Sequence, residues 1–135
     1  MDSTHPTAEF AQVANFRAAL RAFLRKAERN ARMSGLTPQR YLLLLMIKGA
    51  PNGRESSTVT ELAERLQLAQ STVTELVSRA EEIGLIEREQ SDSDGRVTNL
   101  RLTDEGERRL MKAFTTNEQE RQELRAAIAH LDGDG

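Results

Sequence analysis

The chain has no cysteine, so disulfides, thiol redox chemistry and cysteine-ligated zinc are excluded. Tryptophan is also missing, and one tyrosine and four phenylalanines make up the 4% aromatic content. Leucine and alanine must therefore carry the packing, which suits a mainly helical protein. The two histidines, His5 and His130, stand near opposite ends, too far apart in sequence to suggest a histidine metal site within one chain. Long apolar runs are absent too. The longest, 41–47, is far short of the roughly 20 residues that cross a bilayer. The first residues lack the basic-then-apolar pattern of a secretion signal, so the expectation is a cytoplasmic protein with no membrane partner. No excess of positive charge marks the chain either; its formal net charge is −2.

What is present is one domain's worth of chain, 135 residues with 30% charged side chains, distributed unevenly. Residues 1–54 carry a balance of +6, residues 55–110 carry −6 and residues 111–135 carry −2. From 8 to 33 there is no glycine or proline, and Phe10, Val13, Phe16, Leu20, Phe23, Leu24, Ala27 and Ala31 recur at three- and four-residue steps. This predicts an amphipathic helix about 38 Å long, more than a small domain needs, with a stripe that packs on another subunit as well as its own. Residues 1–7, before it, are expected to fray. Ser34-Gly35 breaks the pattern. Thr37 then caps a new helix with Pro38 in its first position, and the run 41–47 predicts a helix covered on nearly all sides. Residues 49–53 form a loop, and 54–57 are a short strand or a simple lead-in.

Residues 58–106 are the most informative. Thr58 and Glu61 form a capping box, in which each side chain satisfies an amide at the helix start. Leu62, Ala63 and Leu66 then share one face. Gln67-Leu68-Ala69 leaves room only for a tight turn, after which Gln70-Ser71-Thr72 opens a second helix running to about Ile83. Val73, Leu76, Val77, Ala80 and Ile83 fall on one side of it; Ser71, Thr74, Glu75, Ser78 and Arg79 fall on the other. This is a helix-turn-helix, a motif whose second helix enters the major groove N-terminal end first. Gly84 stops the helix. Residues 85–90 and 97–102 read as two strands joined by a polar loop with Asp94-Gly95 near its tip. Leu100 and Leu102 alternate with Asn99 and Arg101, so one face of the second strand is buried. Thr103 caps a further helix with Asp104 and Glu105 in its first turn and Leu110, Met111 and Phe114 on its apolar side. Residues 115–117 suggest a break before a last helix over 118–131 with the stripe Leu124, Ala127, Ile128 and Leu131, and 132–135 are expected to be disordered.

The order long helix, covered helix, helix-turn-helix, two-stranded wing and two closing helices resembles the MarR (multiple antibiotic resistance regulator) family. The resemblance is carried by Val59-Thr60-Glu61-Leu62-Ala63-Glu64-Arg65-Leu66, by Gln70-Ser71-Thr72-Val73-Thr74 and by Glu82-Ile83-Gly84-Leu85-Ile86. Most specific is Asp94-Gly95-Arg96 followed by Leu100-Arg101-Leu102-Thr103-Asp104-Glu105-Gly106. What it implies is a mainly α fold: a winged helix-turn-helix with a small β-hairpin wing and N- and C-terminal dimerisation helices. Residues 1–135 would form one such domain, with 8–33 and 104–131 as the dimerisation helices and 55–103 as the winged DNA-binding part. It also implies a homodimer on double-stranded DNA, reading a near-palindromic operator with half-sites about 34–36 Å apart. Family members usually repress transcription, and many release DNA when a small aromatic or phenolic ligand binds between the dimerisation helices and the heads. Two departures stand out: Ala69 occupies a position where serine is frequent, which weakens the helix start by about 0.5–2 kcal/mol if it is the N-cap. The carboxylates Glu75, Glu81 and Glu82 make the second helix more acidic than usual.

The candidate DNA contacts follow. Gln70, Ser71, Thr72, Thr74 and Ser78 can meet bases and phosphates, although ordinary capping accounts for part of that pattern. Arg79 can reach a phosphate, with Glu75 four residues earlier competing for it. Arg88 and Arg101 on the wing strands are phosphate candidates. Arg96 would enter the minor groove with Asp94 orienting it, against the alternative of a solvated charge pair. Phe16, Phe23, Tyr41 and Met46 could line an effector pocket or serve as plain core. Arg17, Arg21, Arg25 and Arg29 form a ridge that either pairs with Glu118, Glu120 and Glu123 of the partner's last helix or attracts an anionic effector or flanking DNA. The −6 block motivates an alternative, a winged-helix protein-interaction module without DNA binding. No cofactor is expected. With no nucleophile–base pair, phosphate-cradling glycine loop or metal cluster legible, neither is an enzyme.

Overall fold

The structure is a computed structural model that describes residues 6–90 and 97–131. Six helices and one hairpin are formed: α1 Pro6–Met33, α2 Pro38–Lys48, α3 Val59–Leu66, α4 Gln70–Glu82, β1 Ile86–Gln90, β2 Thr98–Leu102, α5 Asp104–Thr116 and α6 Glu118–Leu131. This is the mainly α, winged-helix architecture expected. Helix α1 begins at Pro6, earlier than expected, because proline suits a helix's first position; residues 1–5 and 132–135 lie outside the described residues.

Local chemistry sets most boundaries. The Thr37 hydroxyl accepts from the Arg40 amide at 3.1 Å and starts α2. Thr58 and Glu61 form the reciprocal capping box, with Thr58 N–H donating to Glu61 Oε1 at 2.9 Å and Glu61 N–H donating to Thr58 Oγ1 at 3.2 Å. Gln67 takes the left-handed conformation (φ 57°) and ends α3, and Gly84 (φ 79°) ends the turn after α4. Strands β1 and β2 pair antiparallel with Ile86 opposite Leu102 and Gln90 opposite Thr98. The segment before α3 is more than a lead-in. Ser57 exchanges both backbone hydrogen bonds with Leu100, at 3.1 and 2.8 Å, and adds one bridge to the wing.

The start of α5 is locked onto the start of the wing. Thr103 N–H donates to the Leu85 carbonyl at 3.0 Å and its hydroxyl donates to the Gly84 carbonyl at 2.6 Å. The same hydroxyl oxygen accepts from Gly106 N–H at 3.1 Å. A Cβ at Gly106 would stand 2.2 Å from the Leu85 carbonyl oxygen, so no other residue permits this approach. That is the physical content of the Leu102-Thr103-x-x-Gly106 string.

The core belongs to the head: Leu43, Leu44, Ile47, Leu62, Val73, Val77, Leu85 and Leu100 are completely buried. Two expectations are corrected. Leu42 on α2 is 41% exposed, so that helix is not covered all round; Ile83 at the end of α4 is 45% exposed, because the helix stops and turns before its side chain reaches the core. Helix α1 packs along α6 and touches α2 and α5 near its C-terminal end. Asn117, between α5 and α6, is buried and accepts from the Asn30 amide of α1, which pins the expected break.

Candidate nucleic-acid interface

Helix α4 holds its apolar side down through Val73, Val77 and Ala80, all fully buried. That fixes which side faces out. Gln70, Ser71, Thr72, Thr74, Ser78 and Arg79 are all exposed on the outer surface. Ser71, Thr74 and Ser78 follow at three- and four-residue steps, one continuous stripe on a helix about 20 Å long. Ala69 is indeed the N-cap, and it makes no side-chain bond to the first turn. The Gln70 amide donates to the Thr60 hydroxyl at 3.3 Å, which ties the helix start to α3 and orients that side chain.

Part of the acidity of residues 55–110 is paired with cations of the head. Glu55 and Glu107 hold Lys48 at 3.1 and 2.9 Å. Glu61 holds Arg54 at 3.2 Å, and Glu105 takes both Arg108 and Arg109 at 2.5 and 2.6 Å. Those two guanidiniums hold the Glu105 carboxyl down at about 2. The Glu61 carboxyl is also lowered, first by the Thr58 backbone N–H and then by Arg54. On the outer face of α4 Glu75 and Glu82 are both exposed, Glu75 beside Arg79, Arg40 and Leu76 in a shallow hollow. Among the described residues no ion pair joins Glu75 to Arg79, so the competing pair weighed from sequence is not formed.

The wing arginines differ from one another. Arg88 is committed to Glu81 of α4 through its Nε, 2.9 Å from each carboxylate oxygen, so as a phosphate contact it must first leave that pair. Arg101 is 39% exposed, reaches the Arg54 carbonyl at 3.5 Å and stands 4.0 Å from Glu89. Asp94 and Arg96 lie outside the described residues.

The four suggested pocket residues are not brought together. Phe23 and Tyr41 meet in a cavity of about 110 Å³ between α1 and α2, with Glu28 at its edge. Phe16 lies on the open outer face of α1 beside Arg17 and Arg21. Met46 is packed against the core, with its carbonyl accepting from Arg65. Sequence reasoning missed a larger cavity, about 260 Å³, between α2 and α5, lined by Leu45, Lys48, Leu110, Met111 and Phe114 among others. The exposed Met111 and Phe114 at helical spacing were its only sequence signal. The basic ridge Arg17, Arg21, Arg25 and Arg29 is exposed. Within the chain, Lys26 and Asn30 meet the acids of α6 instead, with Lys26 Nζ 4.0 Å from Glu123 and the Asn30 amide 3.4 Å from Glu120.

Residues 34–97, which hold α2 to the hairpin loop, match the model described as the MarR family. The chain is 38% identical over 73 residues to the HTH-type transcriptional repressor MdtR of Bacillus subtilis (strain 168), a match covering 54% of this chain and 44% of that protein. It spans less than half the length of the curated relatives it matches. Among solved structures it is similar to the transcriptional regulator Tm0710 from Thermotoga maritima, with a TM-score of 0.67 and 26% identity over 87% of this chain and 78% of that one. It is also similar to the PcaV transcriptional regulator from Streptomyces coelicolor in complex with its natural ligand, with a TM-score of 0.53 and 31% identity over 64% and 58% of the two chains. These relatives are named as regulators of transcription and not as enzymes. Matching motif string, capped helix-turn-helix, glycine-locked wing and family model agree: residues 34–97 match the MarR family, within a winged helix-turn-helix fold.

Proposed function

We propose that the protein is a sequence-specific DNA-binding transcriptional regulator that acts as a homodimeric repressor and leaves its operator when a small ligand binds. The observation that carries this reading is the outer stripe of α4. Gln70, Ser71, Thr72, Thr74, Ser78 and Arg79 are all exposed on the head, and Glu81 of the same helix is paired with Arg88. Hydroxyls and amides at that spacing suit base edges and phosphates. Arg96, with Asp94, is assigned to the minor groove, and Arg101 to a phosphate. Residues 8–33 and 104–131 are assigned to dimerisation, which would set two heads about 34–36 Å apart on a near-palindromic site. The name of MdtR, a repressor, and the bound ligand of PcaV support the repressor and ligand parts of the reading.

Footprinting on the DNA upstream of the gene tests it. The wild type should protect two half-sites, and binding should fall steeply with added salt. Arg79→Ala and Arg96→Ala should each weaken binding and reduce the salt slope by about one unit. If the wild type binds no duplex even at low salt, the DNA reading fails. The −6 balance of residues 55–110 then favours a protein-interaction module.

A further inference from the structure

The outer side of α4 carries carboxylates among its hydroxyls. At about 100° per residue, Ser71, Glu75, Ser78 and Glu82 form the line opposite the buried Val73, Val77 and Ala80. All four are exposed. Glu81, on a flank of that line, is held by Arg88. Glu75 and Glu82 enter no ion pair among the described residues. Their places along the helix separate them. Glu75 lies about 8 Å from the N-terminal end of α4, whereas Glu82 is its last residue, about 18 Å away. The N-terminal part of a recognition helix meets the base edges, so Glu75, and not Glu82, faces the groove floor. The hollow beside Glu75 is lined by Thr37, Gln39, Arg40, Leu76 and Arg79. Two guanidiniums thus stand against one carboxylate, one positive charge in excess. Neither Arg40 nor Arg79 is paired elsewhere among the described residues.

We propose that Glu75 is a specificity-determining residue whose carboxylate accepts from the N4 amino group of a cytosine in each half-site and rejects other bases there. This rests on the reading of the chain as a sequence-specific DNA-binding regulator. An ionised carboxylate can only accept hydrogen bonds. On the major-groove floor only cytosine and adenine offer an amino donor, and adenine sets its N7 acceptor beside it. Guanine offers the acceptors N7 and O6, and thymine offers O4 and a methyl group. Cytosine alone therefore presents a donor with no acceptor next to it on the same base. Opposite any other base the carboxylate gives up its water and meets an acceptor or a methyl group, so it selects by repulsion as well as by attraction. Arg40 and Arg79 supply the attraction for flanking phosphates that the carboxylate by itself would oppose. The acidity that weakens general affinity for DNA thereby becomes discrimination between bases.

Selection from a library of duplexes with randomised half-sites, run on the full chain, tests the proposal. The wild type should enrich half-sites with a fixed C·G pair, and changing that pair to T·A should weaken binding at least about tenfold. Glu75→Gln should move the preference to A·T, because a side-chain amide pairs bidentately with adenine. Glu75→Ala should bind the C·G and T·A duplexes within about twofold of each other. Replacing the cytosine by a pyrimidine that lacks the N4 amino group should weaken the wild type and leave Glu75→Ala unaffected. Thermal melts of both variants report folding, and at an exposed position neither substitution touches the core. If Glu75→Ala binds every duplex tighter by one common factor, the carboxylate only repels phosphate and the proposal is overturned. An unchanged base preference in Glu75→Ala overturns it as well, while the DNA-binding reading stands. A wild type that binds no duplex even at low salt removes that reading, and the proposal with it.

Discussion

The head and the outer helices are built to different standards. From α2 to β2 the chain buries a set of large apolar side chains completely, with Leu43, Leu44, Ile47, Leu62, Leu85 and Leu100 all at 0% exposure. Helix α1, with 28 residues, buries only Ala27 and Ala31, both near its C-terminal end, and α6 buries none. Phe10, Val13 and Leu24 on α1 and Ile128 on α6 stay in solvent. Both regions have the same helical periodicity, so the difference is not one of local sequence. The head closes a core on itself because helices and a wing meet it from several directions. Two near-solitary helices can cover only one side of each other. Exposed apolar area of this kind suits a protein-contact surface, in keeping with the proposal that these helices dimerise.

The head's dependence on one close approach gives the sharpest break. Gly106→Val should abolish the folded head, a loss above about 4 kcal/mol, because backbone oxygen and not a movable side chain occupies the Cβ position. Soluble yield and circular-dichroism melts would show it; a folded Gly106→Val protein would mean that α5 does not lean on the wing as described.

Next come matched deletions in the two regions. Leu44→Ala should cost about 2–5 kcal/mol in urea denaturation at any protein concentration. Phe10→Asp, at a position 73% exposed, should leave the head's own folding intact and shift sedimentation equilibrium toward the monomer. Equal effects of the two on monomer stability would erase the contrast.

Helix starts provide a smaller test. Thr58→Ala should destabilise by about 1 kcal/mol, and Ala69→Ser should stabilise by somewhat less, since it supplies the missing cap. The smallest effect is in pH. The Glu61 carboxyl is depressed in the folded state, so its contribution is complete above the pKa of the unfolded chain and is lost as pH falls through the folded value. Glu61→Gln should flatten that part of the acid limb of the melting temperature. An unchanged limb would place the acid sensitivity elsewhere, the Glu105 pair with Arg108 and Arg109 being the next place to look.

The capping box, the Gln67 turn, the Gly84 stop and the Thr103 cap were all legible because each is a contact between residues a few positions apart. The outer stripe of α4 was legible for the same reason, since burying Val73 and Val77 leaves Ser71, Thr74 and Ser78 outward. Partners distant in sequence were not legible. Arg88 was a candidate for a phosphate contact, and its pairing with Glu81 on another element was not legible. Phe16 and Met46 were grouped with Phe23 and Tyr41 by residue type, and the packing separated them. Asn30 and Asn117, 87 positions apart, gave no sign of meeting.

By itself, then, the amino-acid order determined where helices begin and end and which side of each is apolar, because those depend on the next few residues along the chain. Only the tertiary structure decided which carboxylates are neutralised, which aromatic residues share a cavity and where the cavity between α2 and α5 opens. Those depend on distances through space between elements, and charge and contact act through space without regard to sequence separation.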